Sequence, residues 1–212
     1  MLRPRILIGD DHRLVAEGIA KLLQDDYEIA EIVEDGWGLV SAAERLKPDL
    51  ILADITMPLL NGLDACEKIL KAGKAPKIII LTMHHDAIYA VRAFRIGVSG
   101  FVLKNSASLE LLTAVKTVLS GQTYVSAQMA AQLQAFSQGG NAELEETKNL
   151  TPRQREVLQL FAEGHSAREV AEILHISVRT AENHKAHIMS ILGANSTAEL
   201  IRCALRLGLI SN

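Results

Sequence analysis

Cysteine is scarce: the 212 residues include only Cys66 and Cys203. Each lies inside a helical pattern, so both read as buried thiols without chemistry rather than as a disulfide framework. Long apolar runs are missing too, since nothing approaches the roughly 18 residues that span a bilayer. The start Met1-Leu2-Arg3-Pro4-Arg5 leads into only a short apolar stretch before Asp10, too brief for a secretion signal. The expectation is a cytoplasmic protein with no membrane partner. A strong excess of basic charge is missing as well. The net charge of −3 divides into −2 over residues 1–125, −2 over 126–149 and +1 over 150–212. There is no basic tail, so any binding of nucleic acid has to come from local placement of charge. Zinc-like spacing is absent at six of the seven histidines: His84-His85, His165, His175, His184 and His187 have no cysteine or carboxylate partners at the required intervals.

What the chain does have is carboxylates at the ends of apolar runs. Asp54 closes Leu50-Ile51-Leu52-Ala53, and Asp10-Asp11 follow Ile6-Leu7-Ile8. Short apolar runs of this kind, followed by helical patterning, read as buried parallel strands. Strands are expected near 5–9, 28–33, 49–53, 77–82 and 99–103, with helices near 12–24, 37–46, 63–71, 86–95 and 107–119. The alternation predicts a five-stranded parallel sheet covered on both faces. Pro48, Pro58, Asn61-Gly62 and Pro76 punctuate it.

From about Ser126 to Asn149 the pattern weakens into Gln and Ala, then Gly139-Gly140 and Glu143-Leu144-Glu145-Glu146. That is the composition of a helical extension running into a flexible linker. Beyond Leu150 the chain reads as wholly helical. Thr151-Pro152 with Gln154 is a helix start, Ser166 and Ser177 cap two more helices, and Thr197 opens a fourth. The brief turn at His175-Ile176 makes a helix-turn-helix.

Open α/β sheets place their chemistry at strand carboxyl ends. Three carboxylates there repel one another unless a cation sits among them, and oxygen ligands of this kind suit Mg²⁺. Asp10, Asp11, Asp54 and the backbone carbonyl of Thr56 are the candidate ligands. Asp54 is the candidate acceptor of a phosphoryl group, with the Thr82 hydroxyl and the Lys104 ammonium as donors to its oxygens. In the C-terminal part, Ala181, Ile188 and Leu192 define the inward stripe of the third helix. Arg179, Glu182, Asn183 and Ala186 face outward, flanked by His184 and Lys185. Amide and cationic donors on such a helix suit base edges and phosphates, and Glu182 can accept from cytosine while lowering nonspecific affinity.

The stretches Asp10-Asp11-His12, Asp54-Ile55-Thr56-Met57-Pro58-Leu59-Leu60-Asn61-Gly62, Leu81-Thr82 and Gly100-Phe101-Val102-Leu103-Lys104 resemble the receiver domain of two-component response regulators. Residues 150–210 resemble the LuxR-type helix-turn-helix. Together they make the chain similar to the NarL/FixJ family of transcriptional regulators. The resemblance implies a doubly wound, flavodoxin-like receiver at 1–125, a linker at 126–149 and a four-helix DNA-binding domain at 150–212. It implies a sensor histidine kinase that phosphorylates Asp54 with Mg²⁺, switch residues Thr82 and Phe101, and a homodimer that forms on phosphorylation and binds promoter duplex. Phe101 stands where the family often has Tyr, so no switch step can use a phenolic hydroxyl. The implied DNA-facing set is Arg179, Thr180, Glu182, Asn183, His184, Lys185 and Ala186.

Two other functions fit parts of this pattern. A hydrolase using Asp54 as nucleophile needs a general acid or base nearby, and Thr56 and Met57 occupy the positions just after it. No enzyme activity beyond slow self-dephosphorylation is expected. A regulator that binds DNA regardless of phosphate needs an inert first domain, against which the complete set of acceptor residues argues.

Overall fold

The computed structural model describes residues 3–73, 76–105, 108–139 and 150–210. Six strands form one sheet in the order β2-β1-β3-β4-β5-β6, with every pairing parallel. They are β1 (Arg5–Gly9), β2 (Glu28–Val33), β3 (Leu50–Ala53), β4 (Lys77–Thr82), β5 (Gly100–Leu103) and β6 (Tyr124–Val125). Five strands were expected. The sixth has two residues, too few for any periodicity, and adds to the edge through Gly100↔Tyr124 and Phe101↔Val125.

Helices cover both faces, as the fully apolar central strands require. On one side α1 (Arg13–Leu23) and α5 (Ser108–Leu119) bury Ala16, Leu23, Leu111, Ala114, Val115 and Val118 against Ile6, Ile8, Leu52, Ile79 and Leu81. On the other, α2 (Gly36–Leu46), α3 (Gly62–Lys71) and α4 (Ala87–Ile96) close over Leu7, Ile51, Ala53, Ile78, Ile80 and Phe101. Polar side chains start these helices: Asp35, Asn61 and Asp86 accept from Gly38, Asp64 and Ile88 N–H. Two glycines permit close approaches. A Cβ on Gly36 would lie 1.8 Å from the Leu60 carbonyl oxygen, and one on Gly62 would lie 1.7 Å from that of Asp54.

The Gln/Ala segment after Val125 forms α6 (Ala127–Gly139), whose Met129 is fully buried with the second of these cores. The flexible linker expected downstream falls mainly on 140–149, outside the described residues. The remaining helices are α7 (Pro152–Ala162), α8 (Ala167–Leu174), α9 (Val178–Leu192) and α10 (Thr197–Arg206). Reciprocal capping boxes start α7 at Thr151/Gln154 and α8 at Ser166/Glu169. Between α8 and α9 the chain turns through His175, left-handed at φ 53°, to the cap Ser177. Val157, Leu158, Phe161, Val170, Leu174, Ala181, Ile188, Leu200 and Ala204 form their shared core. Trp37 and Leu59 of the first domain pack against its margin.

Candidate functional site: an acidic pocket and an exposed helix

The parallel register brings the predicted acidic residues to one edge. Gly9 pairs with Ala53, so β1 and β3 end together, and Asp54 N–H donates to the Gly9 carbonyl at 2.8 Å. Asp10 and Asp54 are almost wholly buried. Thr82 pairs with Leu103 at the end of β4, which leaves Lys104 just beyond the end of β5. Its Nζ lies 2.7 Å from both Asp10 Oδ2 and Asp54 Oδ2. One ammonium thus serves two carboxylates, with Asp11 half-buried alongside.

The charges do not balance. Burial lifts the Asp54 carboxyl above its ordinary range; Lys104 pulls it back and Asp10 pushes it further up. Burial works against the Lys104 ammonium, but its bonds to Asp54 and Asp10 outweigh that and raise it, so it stays protonated. Ligand atoms of Asp10, Asp11, His12 and Asp54 all lie within 4.8 Å of one another. An excess of buried negative charge with oxygen donors suits a hard divalent cation. Thr56 and Asp11 line the same cleft of about 370 Å³, which runs from the pocket to Glu163 and His165 of the second domain.

The two proposed switch residues are both fully buried. Thr82 Oγ1 accepts from His84 N–H at 3.1 Å, and the Phe101 ring lies within the core under α4. His84 was not singled out in the sequence beyond its failure to fit a zinc pattern. Its Nε2 is 2.8 Å from Thr56 Oγ1, tying the loop after β4 to the loop after β3. Burial lowers its basicity, with Asp86 opposing. His12, Nδ1 2.8 Å from Asp11 Oδ1, also sits at the pocket rim. Both cysteines are buried, and burial pushes the Cys66 thiol up to about 12.

A polar seam between the domains was not foreseen either. Asp64, at the start of α3, accepts from Arg92 Nη2 at 2.6 Å and from Arg155 Nε and Nη2 at 2.9 and 2.6 Å. Asn61 Nδ2 donates to its other oxygen. Burial alone would raise the Asp64 carboxyl, but the two guanidiniums hold it below the usual carboxylate range. Lys68 Nζ reaches Glu156 at 2.7 Å and lies 4.9 Å over the Trp37 ring. Contacts between residues some 90 apart in the chain have no periodic signature, so only the fold reveals them.

The docked arrangement leaves the predicted DNA-facing side of α9 open. Arg179, Glu182, Asn183 and Ala186 are exposed, and Thr180, His184 and Lys185 partly so. Ala181 and Ile188 are fully buried beneath. Thr180 is tied back to Ser177, whose hydroxyl accepts from its N–H at 3.0 Å, and Lys185 Nζ sits 4.7 Å over the Phe161 ring.

Comparison with known proteins matches residues 6–116 to the response regulator receiver domain and residues 148–204 to the luxR family of bacterial regulatory proteins. The oxygen regulatory protein NreC of Staphylococcus aureus is 38% identical over 210 residues, 95% of this chain and 97% of that protein. Among solved structures, RcsB from Salmonella enterica serovar Typhimurium, bound to promoter P1flhDC with the phosphomimetic BeF3⁻, aligns with TM-score 0.62 and 26% identity. The alignment covers 97% of this chain and 99% of RcsB. The response regulator ChrA, of a heme-sensing two-component system, aligns with TM-score 0.54 and 29% identity over 99% of this chain and all of ChrA.

Proposed function

Because this chain belongs to the response regulators that join a receiver domain to a LuxR-type helix-turn-helix, we propose that phosphorylation of Asp54 controls its dimerisation and its binding to promoter DNA. The observation that carries this reading is the Lys104 ammonium shared by Asp10 and Asp54 at the sheet edge, on the same chain as an open recognition helix. The phosphoryl donor is a sensor histidine kinase, and the setting is the cytoplasm. The family is one of DNA-binding regulators, and slow self-dephosphorylation is the only turnover proposed.

A carboxylate oxygen of Asp54 attacks the phosphorus, the P–N bond to the donor imidazole breaks, and its electron pair stays on that nitrogen. Lys104 meets the incoming phosphoryl oxygens as a point charge, and Thr82 offers its hydroxyl once it leaves His84 N–H. Asp10, Asp11, Asp54 and the Thr56 carbonyl are the oxygen donors that would hold Mg²⁺, which when bound neutralises the charge gathering on the phosphoryl group. Inversion of such a switch from mostly off to mostly on takes about 5.5 kcal/mol of differential stabilisation, so dimer contacts and DNA contribute alongside the phosphoryl group.

On the second domain, the positive N-terminus of α9, capped by Ser177, lies toward the DNA backbone, while Arg179 and Asn183 face base edges. Phosphorylation shifts the population toward dimers that present two such helices about one helical turn apart. Labelling with a radioactive phosphodonor tests the acceptor: wild type takes label only with Mg²⁺, and Asp54→Asn takes none. Label persisting in Asp54→Asn, or equal promoter affinity with and without the donor, refutes the proposal.

A further inference from the structure

The loop leaving Asp54 depends on the second domain for its backbone bonds. The Met57 carbonyl accepts from Gln159 Nε2 at 2.8 Å, and Asn61 N–H donates to Gln159 Oε1 at 2.7 Å. Leu59 N–H donates to the Glu163 carboxylate at 3.1 and 3.2 Å. One amide therefore spans the turn, and the carboxylate of Glu163, the residue that caps the C-terminus of α7, holds its tip. Gln159 Nε2 also donates to Glu163 at 2.7 Å, which locks the pair together. Gln159 is wholly buried, so water has no access to replace its bonds.

The held conformation is a strained one. Leu59 sits at φ 66°, in the left-handed region that side chains other than glycine rarely enter, and Leu60 N–H closes on the Pro58 carbonyl at 2.7 Å. Such geometry persists where its surroundings over-determine it. Its upstream end is pinned within the first domain by Gly62 N–H on the Ile55 carbonyl at 2.7 Å. Thr56 lies between that pin and the Met57 carbonyl held by Gln159.

We propose that Gln159 and Glu163 are positioning residues for the phosphoacceptor pocket: from the second domain they hold the loop that presents the Thr56 carbonyl to a divalent cation. The inference rests on the acceptor reading above and adds a direction of control. Docking of the second domain tightens cation binding at Asp54, and by reciprocity the bound cation favours the docked arrangement. Release of the second domain from the loop then loosens the pocket, so the two ends of the molecule are linked through the backbone of one turn.

Full-length protein is titrated with MgCl₂ and followed by fluorescence of Trp37, the single tryptophan. The residue before it, Gly36, donates to the Pro58 carbonyl at 3.3 Å, so its emission follows the loop. Loss of two such hydrogen bonds weakens Mg²⁺ affinity roughly tenfold in Gln159→Ala. Glu163→Ala shows the same direction, whereas Glu163→Gln keeps an acceptor for Leu59 N–H and restores affinity to near wild type. Hydrogen exchange at Asn61 and Leu59 speeds up in the alanine variants, without Mg²⁺ as well as with it. If Gln159→Ala fails to fold, the Glu163→Ala and Glu163→Gln pair decides alone. Wild-type affinity in the alanine variants overturns the positioning role and leaves the acceptor site standing. A wild type that binds no Mg²⁺, or an Asp54→Asn that binds it equally well, sinks the acceptor reading instead.

Discussion

Replacing Asp64 with alanine removes the carboxylate that two guanidiniums share at the domain seam. Arg92 Nη2 and Arg155 Nη2 each lie 2.6 Å from its Oδ1, and only 2% of the Asp64 side chain is exposed. Breaking a buried ion pair by deleting one partner costs about 3–5 kcal/mol, chiefly because the surviving charge stays buried and unpaired. Here Arg155 keeps Glu67 at 3.2 Å and the Leu150 carbonyl at 3.0 Å, which places the expected loss near the lower end, about 3 kcal/mol. For a chain of this size that lowers the melting temperature by about 6–12 °C. The assay is urea and thermal unfolding followed by Trp37. The pH dependence supplies an independent check on the sign. The folded-state carboxyl is held below its unfolded value near ~3.9, so Asp64 stabilises fully above that value and the benefit disappears as pH falls through the folded-state value. The wild-type and variant curves therefore converge in acid. Changing all three residues to Leu, Leu and Met should recover most of the loss, since no charge is left stranded. A penalty under about 1 kcal/mol at pH 7, or one that persists unchanged in acid, would refute the reasoning.

Gly62→Ala puts a Cβ against the Asp54 carbonyl oxygen, 1.7 Å away before any relaxation. The loop has to move, and both phosphoryl labelling and thermal stability should fall sharply; a variant with wild-type labelling would mean that the close approach is dispensable. Lys104→Met strands Asp10 and Asp54 together, so the Asp54 carboxyl should rise further above its ordinary range and labelling should slow; carboxyl titration by NMR reads the first effect and a labelling time course the second. On α9, Arg179→Ala should weaken binding to a selected operator and relax its sequence preference, as base substitutions in that operator would report. Glu182→Lys should raise affinity for random duplex and steepen the salt dependence by about one unit of slope; an unchanged slope would place Glu182 away from the DNA.

Much of this architecture was legible in the chain itself. Apolar runs ending in Asp10 and Asp54, the turn at Asn61-Gly62, and the side chains at Thr151, Ser166 and Ser177 that cap helices, are local signals: strand burial, turns and capping depend on residues a few positions apart. The inward stripe Ala181, Ile188 and Leu192 likewise follows from helical periodicity, with Leu192 only partly buried at its end, and that period left Arg179 and Asn183 on the open side. The same locality explains what was missed. A two-residue strand at Tyr124 has no period to read, and His84 gains its meaning only because two loops meet.

The sequence by itself determined which carboxylates stand at strand ends and which helix faces outward, because backbone periodicity and charge are written into consecutive residues. Only the tertiary structure decided that Lys104 bridges Asp10 and Asp54, that Asp64 is shared by Arg92 and Arg155, and that Gln159 holds the turn after Asp54. These bonds join residues about 30 to 100 positions apart. Their partners are selected by how the sheet orders its strands and where the second domain lodges, and the desolvation that gives them their strength exists only once that packing has excluded water.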